Sequence, residues 1–143
     1  VHALDVSEAA LQVAKSNAQS NELAIHFLHQ NILETTSFPE SYDVIVSNPP
    51  YVRNLEKAEM AKNVLDFEPA LALFVFDENP LLFYEKIASL AWENLNSNGF
   101  LYFEINQYLG QEMIDLLSNK GFKSIELRKD IYGNDRMMKA VKP

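Results

Sequence analysis

Residues Asp43–Val52 read DVIVSNPPYV, an apolar run that ends in two successive prolines flanked by an asparagine and a tyrosine. Tyr42–Ser47 has the β-branched composition of a buried strand. Beyond it, Asn48 precedes a proline and is pushed out of helical geometry into an extended one, which holds its side chain away from the strand. Pro49 and Pro50 fix two φ angles and contribute carbonyls without amide hydrogens, and Asn48 adds a side-chain carbonyl. The strand therefore ends in a rigid corner rich in acceptors. Such a corner suits an NH2 on an sp2 carbon, as in a carboxamide or an adenine. Accepting both of its hydrogens in fixed bonds favours a pyramidal nitrogen and aims its lone pair at an electrophile. Tyr51 can pack its ring on the flat group. From the tetrapeptide alone, a Pro-Pro turn with a capping asparagine and a core tyrosine remains the alternative.

Working outward, VHALDV (residues 1–6) reads as a strand ending at Asp5, and Ser7 is placed to cap a helix over residues 8–21 whose apolar positions are Ala10, Leu11, Ala14 and Ala18. AIHFLH (24–29) is a short strand. From Val52 to Asn79 the periodicity is poor, a length of irregular chain more often functional than accidental. Pro80 opens a helix of about 16 residues with Leu82, Phe83, Ile87, Leu90, Ala91 and Leu95 on its apolar face, ended by NSNG (96–99). Phe100–Ile105 is a strand, 111–120 a helix stopped by Gly121, and FKSIELRKD (122–130) and RMMKAVK (136–142) form a closing hairpin. Strands alternating with helices give an α/β fold with a mostly parallel sheet and an antiparallel hairpin at one end. Ligands of such sheets bind beyond the carboxyl ends of the strands, where Asn48–Tyr51 falls.

The chain's 143 residues, 48% of them hydrophobic, suffice for one domain with a real core. No apolar run is long enough to cross a membrane. The absence of cysteine rules out disulfides and thiolate metal sites and fits a reducing, cytoplasmic setting. A formal charge of −8 disfavours the phosphate attraction that drives non-specific nucleic-acid binding and favours a protein or small-molecule partner. His26 and His29, three apart on a strand, face opposite sides and do not make a metal site. The aromatic run Phe74–Phe76 reads as packing. Glu104, at a strand end, reads as a hydrogen-bonded structural residue rather than an acid or base.

NPPY after DVIVS resembles the amino-methyltransferases that use S-adenosylmethionine. DFEPALAL (66–73), FYEKIA (83–88), NGFLYFEI (98–105) and RKDIYGNDRMMKA (128–140) narrow the resemblance to the release factor glutamine methyltransferases and together cover nearly the whole chain. The resemblance implies a Rossmann-like class I methyltransferase fold with S-adenosyl-L-methionine as cofactor and peptide chain release factors as substrate. It implies that Asn48, Pro49, Pro50 and Tyr51 form the catalytic corner, with Asn48 and Pro49 holding the target amide through carbonyls and Tyr51 packing against it. Asp5, with Val6 beside it, matches the acidic position that binds the cofactor's ribose. Asn31 stands where the family has an aspartate facing the adenine amino group, and Ile32 and Leu33 are placed to flank the ring, with core packing as the alternative use of at least one; Asn48 also borders the cofactor. Glu68 and Pro69 match an EP pair near the substrate mouth, with a structural turn as the equal alternative.

The family's first strand and glycine-rich loop find no counterpart among Gly99, Gly110, Gly121 and Gly133. The expectation is therefore a partial catalytic domain over residues 1–143, without the N-terminal recognition domain and with weak or no cofactor binding of its own. Strand edges left open by the missing strand would invite self-association. The leading functional expectation is methylation of a glutamine side chain in release factors. Adenine-N6 or cytosine-N4 methylation of nucleic acid is the runner-up, and a non-catalytic binding module the third reading.

Overall fold

The computed structural model describes residues 1–53, 79–143 and, as a two-residue strand, 74–75. Glu68 and Pro69 lie outside the described residues, as do the side chains of Phe74–Phe76. Two compact units divide the chain, residues 1–36 and 37–143.

In the first unit β1 (His2–Asp5) and β2 (His26–His29) pair in parallel, Asp5 opposite His29, and are joined by α1 (Glu8–Ser20). The Ser7 hydroxyl accepts from the Ala10 amide at 3.2 Å, and Glu8 places a negative charge in the first turn, so the helix starts where its donors are met. Leu11 and Ala18 are the buried positions of α1.

The second unit is built on a four-stranded sheet in the order β3 (Tyr42–Ser47), β6 (Leu95–Glu104), β8 (Asp135–Val141), β7 (Lys123–Lys129). β3 and β6 are parallel; β8 runs antiparallel to both β6 and β7. Inside the stretch read as irregular, β4 (Val52–Arg53) and β5 (Phe74–Val75) pair in parallel. The helices are α2 (Leu82–Asn94) and α3 (Gly110–Lys120). Among the described residues none is long and apolar enough to cross a membrane.

Alternation along β6 and β8 decides which face is the core. Leu101, Phe103, Met138 and Ala140 are buried together with Ile87, Leu90 and Ala91 of α2 and Met113 and Leu117 of α3. The intervening Tyr102 and Met137, with Val44 and Val46 of β3, stay exposed. Of the expected apolar face of α2, Ile87, Leu90, Ala91 and Leu95 are buried and Leu82 and Phe83 are half-buried, while Tyr84, which the sequence reading left out, is fully buried. The Tyr84 ring meets Phe103 edge-on at 5.3 Å and its hydroxyl donates to the Glu104 carbonyl at 3.2 Å, so a polar aromatic fills a core position without leaving its oxygen unpaired.

NSNG does not simply end α2. The chain turns straight from helix into β6 at Leu95, and the register jumps from Tyr42↔Leu95 to Val44↔Phe100, so the polar residues form an irregular bulge in the strand. Neighbours satisfy it: Asn96 Nδ2 donates to Asp43 at 2.8 Å, the Asn98 amide donates to the Lys142 carbonyl at 2.8 Å, and Asn98 takes a positive φ of 64°.

Gly121 caps α3 with φ 107°, and a Cβ there would stand 2.7 Å from Trp92 Cη2. Trp92 is itself fixed edge-on against buried Phe122. Gly121→Ala therefore meets both a disfavoured backbone and a rigid ring, and the expected loss of unfolding free energy is about 1–3 kcal/mol. Urea unfolding of the two proteins measures it.

Candidate active site

Each unit presents candidate residues at the carboxyl edge of its own parallel strands. In the first unit, Asp5 and Val6 end β1 while Asn31 and Ile32 follow β2, and the parallel pairing brings the two ends side by side. The Gln30 amide donates to the Asp5 carbonyl at 3.1 Å, and His29 Nε2 lies 3.0 Å from the Val6 carbonyl. This histidine edge contact is one the sequence reading did not find.

Asp5 is exposed and its Oδ1 accepts the Ser7 amide at 2.7 Å. The other carboxylate oxygen accepts no hydrogen bond among the described residues. A carboxylate fixed through one oxygen and open at the other is suited to a pair of sugar hydroxyls. Asn31 is half-buried, its Oδ1 accepting from the Leu33 amide at 3.1 Å and its Nδ2 donating to Glu34 at 3.0 Å. One lone pair of that oxygen is thereby committed and one is left. Ile32 and Leu33 are half-buried beside it. Among the described residues there is no cluster of metal-binding side chains, and His26 instead stacks on His2 with ring centroids 5.0 Å apart.

In the second unit the end of β3 delivers the NPPY corner. Asn48 is exposed and its side chain has no hydrogen-bond partner among the described residues, Pro49 is buried, and Pro50 and Tyr51 are half-buried. The pattern is that of an anchored base with a free amide at its outer end.

The anchor is Tyr51. Its hydroxyl donates to Glu104 Oε1 at 2.6 Å and accepts from Arg136 Nη1 at 3.3 Å, while its backbone carbonyl accepts from Asn106 Nδ2 at 3.0 Å. Asn106 is 2% exposed and its own carbonyl takes the Tyr108 amide at 3.0 Å. Burial, and next the adjoining Glu104 carboxylate, push the Tyr51 phenol up to about 12, so it remains a neutral donor. Arg136 also donates to the Ile105 carbonyl at 3.3 Å and pairs with Asp130 at 3.3 Å. Slight burial acts to raise the Asp130 carboxyl, but the Asn134 and Tyr132 amides and then Arg136 outweigh it and hold it below the usual carboxylate range. Glu104 thus has the hydrogen-bonded role that its strand-end position suggested. Asp130 and Arg136 lie in the RKDIYGNDRMMKA stretch that narrowed the resemblance, though without an assigned role, and Asn106 carried no local sequence signal.

Comparison with known proteins finds similarity to methyltransferases. The Methyltransferase small domain model matches residues 1–70. Release factor glutamine methyltransferases from Flavobacterium psychrophilum and Bacteroides thetaiotaomicron are 60% identical over 139 residues and 48% identical over 141 residues. Those alignments cover 97% and 98% of this chain but 49% and 51% of the relatives, so the chain spans about half the length of the curated proteins it matches. Among solved structures, a methyltransferase from Pyrococcus furiosus superposes with TM-score 0.70 at 19% identity, over 99% of this chain and 62% of that one. A 16S rRNA N2 methyltransferase from Thermus thermophilus, in complex with AdoMet and guanosine, superposes with TM-score 0.66 at 20% identity, over 100% of this chain and 31% of that one. These two likenesses establish the Rossmann-like methyltransferase fold.

Proposed function

Taking this chain as a homologue of the release factor glutamine methyltransferases with the class I methyltransferase fold, we propose that it serves S-adenosylmethionine-dependent methylation of a glutamine side-chain nitrogen in peptide chain release factors. The observation that carries the reading is the exposed amide of Asn48, without a hydrogen-bond partner among the described residues, standing on a clamped base of buried Pro49 and half-buried Pro50 and Tyr51. The cofactor supplies, when bound, an electrophilic methyl group on a sulfonium.

The chain's own residues do the rest. Asp5 accepts from the ribose hydroxyls, with Val6 beside it. Asn31 offers its remaining lone pair to the adenine amino group, and Ile32 and Leu33 border the ring. The Asn48 side-chain carbonyl and the Pro49 backbone carbonyl each accept one hydrogen of the target amide, which turns the nitrogen lone pair out of conjugation and towards the methyl donor. Pro50 contributes no competing N–H. Tyr51, held through its hydroxyl, offers its ring as a wall for the planar group. Glu68 and Pro69 belong to the substrate mouth in this reading. The amide nitrogen attacks in its neutral form, so no general base is required before transfer, and the surplus proton on the methylated nitrogen is then lost to solvent to leave the neutral N-methyl amide.

Acidic charge favours a protein over a nucleic acid as substrate, since a net −8 opposes phosphate attraction. Methyl incorporation by the intact enzyme into purified release factor, DNA and RNA decides the substrate class. Labelling of the release factor at a glutamine is the expected result; exclusive labelling of nucleic acid would overturn it.

A further inference from the structure

We infer that Glu104 and Arg136 are positioning residues for methyl transfer: by gripping the Tyr51 hydroxyl from both sides they hold the NPPY corner, and with it the two amide-accepting carbonyls, in the reactive geometry. The inference rests on the methyl-transfer reading above and extends it to residues that touch neither the amide nor the cofactor in that reading.

The geometry is directional. A phenol has one proton and lone pairs to receive others; Tyr51 gives its proton to Glu104 at 2.6 Å and receives from Arg136 at 3.3 Å, so rotation about the C–O bond is fixed by a carboxylate on one side and a guanidinium on the other. The same residue is held at its backbone by buried Asn106. Two restraints on one residue, with Pro50 and buried Pro49 immediately before it, leave the corner few ways to shift.

All the partners come from the ends of two neighbouring strands. Glu104 ends β6, where Glu104 faces Met137 of β8, and Arg136 lies one residue before that pair. Arg136 is tied in turn to Asp130, whose carboxylate organises the β7–β8 turn by accepting the Tyr132 and Asn134 amides at 2.9 and 3.0 Å. The Asp130 amide donates to the Asn134 carbonyl at 2.8 Å, closing the turn on itself. The hairpin therefore acts on the corner through one guanidinium. Tyr84 adds to the rigidity by binding the Glu104 carbonyl from below.

Misplacing an acceptor by about 1 Å is enough to cost of order a hundredfold in rate. In the intact enzyme, Glu104→Ala is expected to lower kcat for release factor about 10²-fold while the calorimetric Kd for S-adenosylmethionine changes by less than about threefold. Glu104→Gln, which keeps an acceptor of the same shape, is expected to recover at least about tenfold of that loss, and Arg136→Lys to fall between the two. A second readout is independent of turnover: the Tyr51 hydroxyl proton, observed by nuclear magnetic resonance, is expected to exchange slowly in the wild type and to be lost to solvent exchange in Glu104→Ala.

Should Glu104→Ala fail to fold, the Gln and Lys variants carry the test alone. Wild-type turnover in all folded variants would overturn the inference, as would a loss confined to cofactor affinity or a wild-type hydroxyl proton that exchanges freely. If the wild-type enzyme leaves release factor unmethylated while the hydroxyl proton is protected, the clamp stands and the substrate reading is what has failed.

Discussion

Replacing Asn48 by alanine is expected to lower the turnover of the intact enzyme by about 10²–10³-fold, equivalent to about 3–4 kcal/mol of transition-state stabilisation, with cofactor affinity little changed. The effect is large because the side-chain carbonyl is one of only two acceptors assigned to the amide hydrogens. The alanine variant retains the Pro49 carbonyl, so the amide still binds but keeps its planar, poorly nucleophilic nitrogen. Asn48 is exposed and has no hydrogen-bond partner among the described residues, so its removal breaks nothing that holds the fold. Stability within about 0.5 kcal/mol of wild type should accompany the loss of rate. Steady-state kinetics beside thermal unfolding measures both, and unchanged kcat would remove Asn48 from the mechanism.

The second large effect falls on stability. Tyr84→Ala empties a fully buried aromatic site beside Phe103 and is expected to cost about 3–5 kcal/mol. Tyr84→Phe keeps the ring and loses only the bond to the Glu104 carbonyl, an expected cost of about 1 kcal/mol. The difference between the two variants separates packing from hydrogen bonding at one position. Because that carbonyl belongs to the residue gripping Tyr51, the phenylalanine variant also tests whether the core supports the corner: a measurable fall in kcat at nearly full stability is the expected outcome. Urea unfolding that finds the alanine variant within 1 kcal/mol of wild type would contradict the packing assigned to Tyr84.

Much of this arrangement is written locally in the sequence. The strand before the corner occupies Tyr42–Ser47 as its composition predicts, Ser7 caps α1 through its hydroxyl, Gly121 ends α3 at a positive φ, and the last two strands form the antiparallel hairpin. In each case the cause lies within a few residues: a β-branched run, a capping side chain, a residue without a Cβ, a short turn. The misreadings have a common origin in distant partners. α2 does end at NSNG as expected, but the stretch also belongs to β6, because its polar groups find hydrogen bonds at Asp43 and Lys142, more than forty residues away in either direction. Tyr84 looks misplaced on an apolar face until the Glu104 carbonyl is brought to its hydroxyl.

The candidate site divides along the same line. NPPY is legible because proline restricts itself and its predecessor, a property of the tetrapeptide alone. The clamp that makes the tetrapeptide rigid is not, since Tyr51 meets Glu104 and Arg136 across 53 and 85 residues of sequence. Asn31 is an intermediate case. Its identity suggests an acceptor, but the structure commits one lone pair of that oxygen to the Leu33 amide.

In the proposed mechanism Asn48 and Pro49 receive the two hydrogens of a glutamine amide. A crystal structure of the intact enzyme with S-adenosylhomocysteine and a glutamine-bearing release factor peptide tests it most directly. The amide nitrogen is expected within hydrogen-bond distance of both the Asn48 Oδ1 and the Pro49 carbonyl oxygen, with the Tyr51 ring against the amide plane. An amide bound elsewhere, with Asn48 turned away from it, would contradict it.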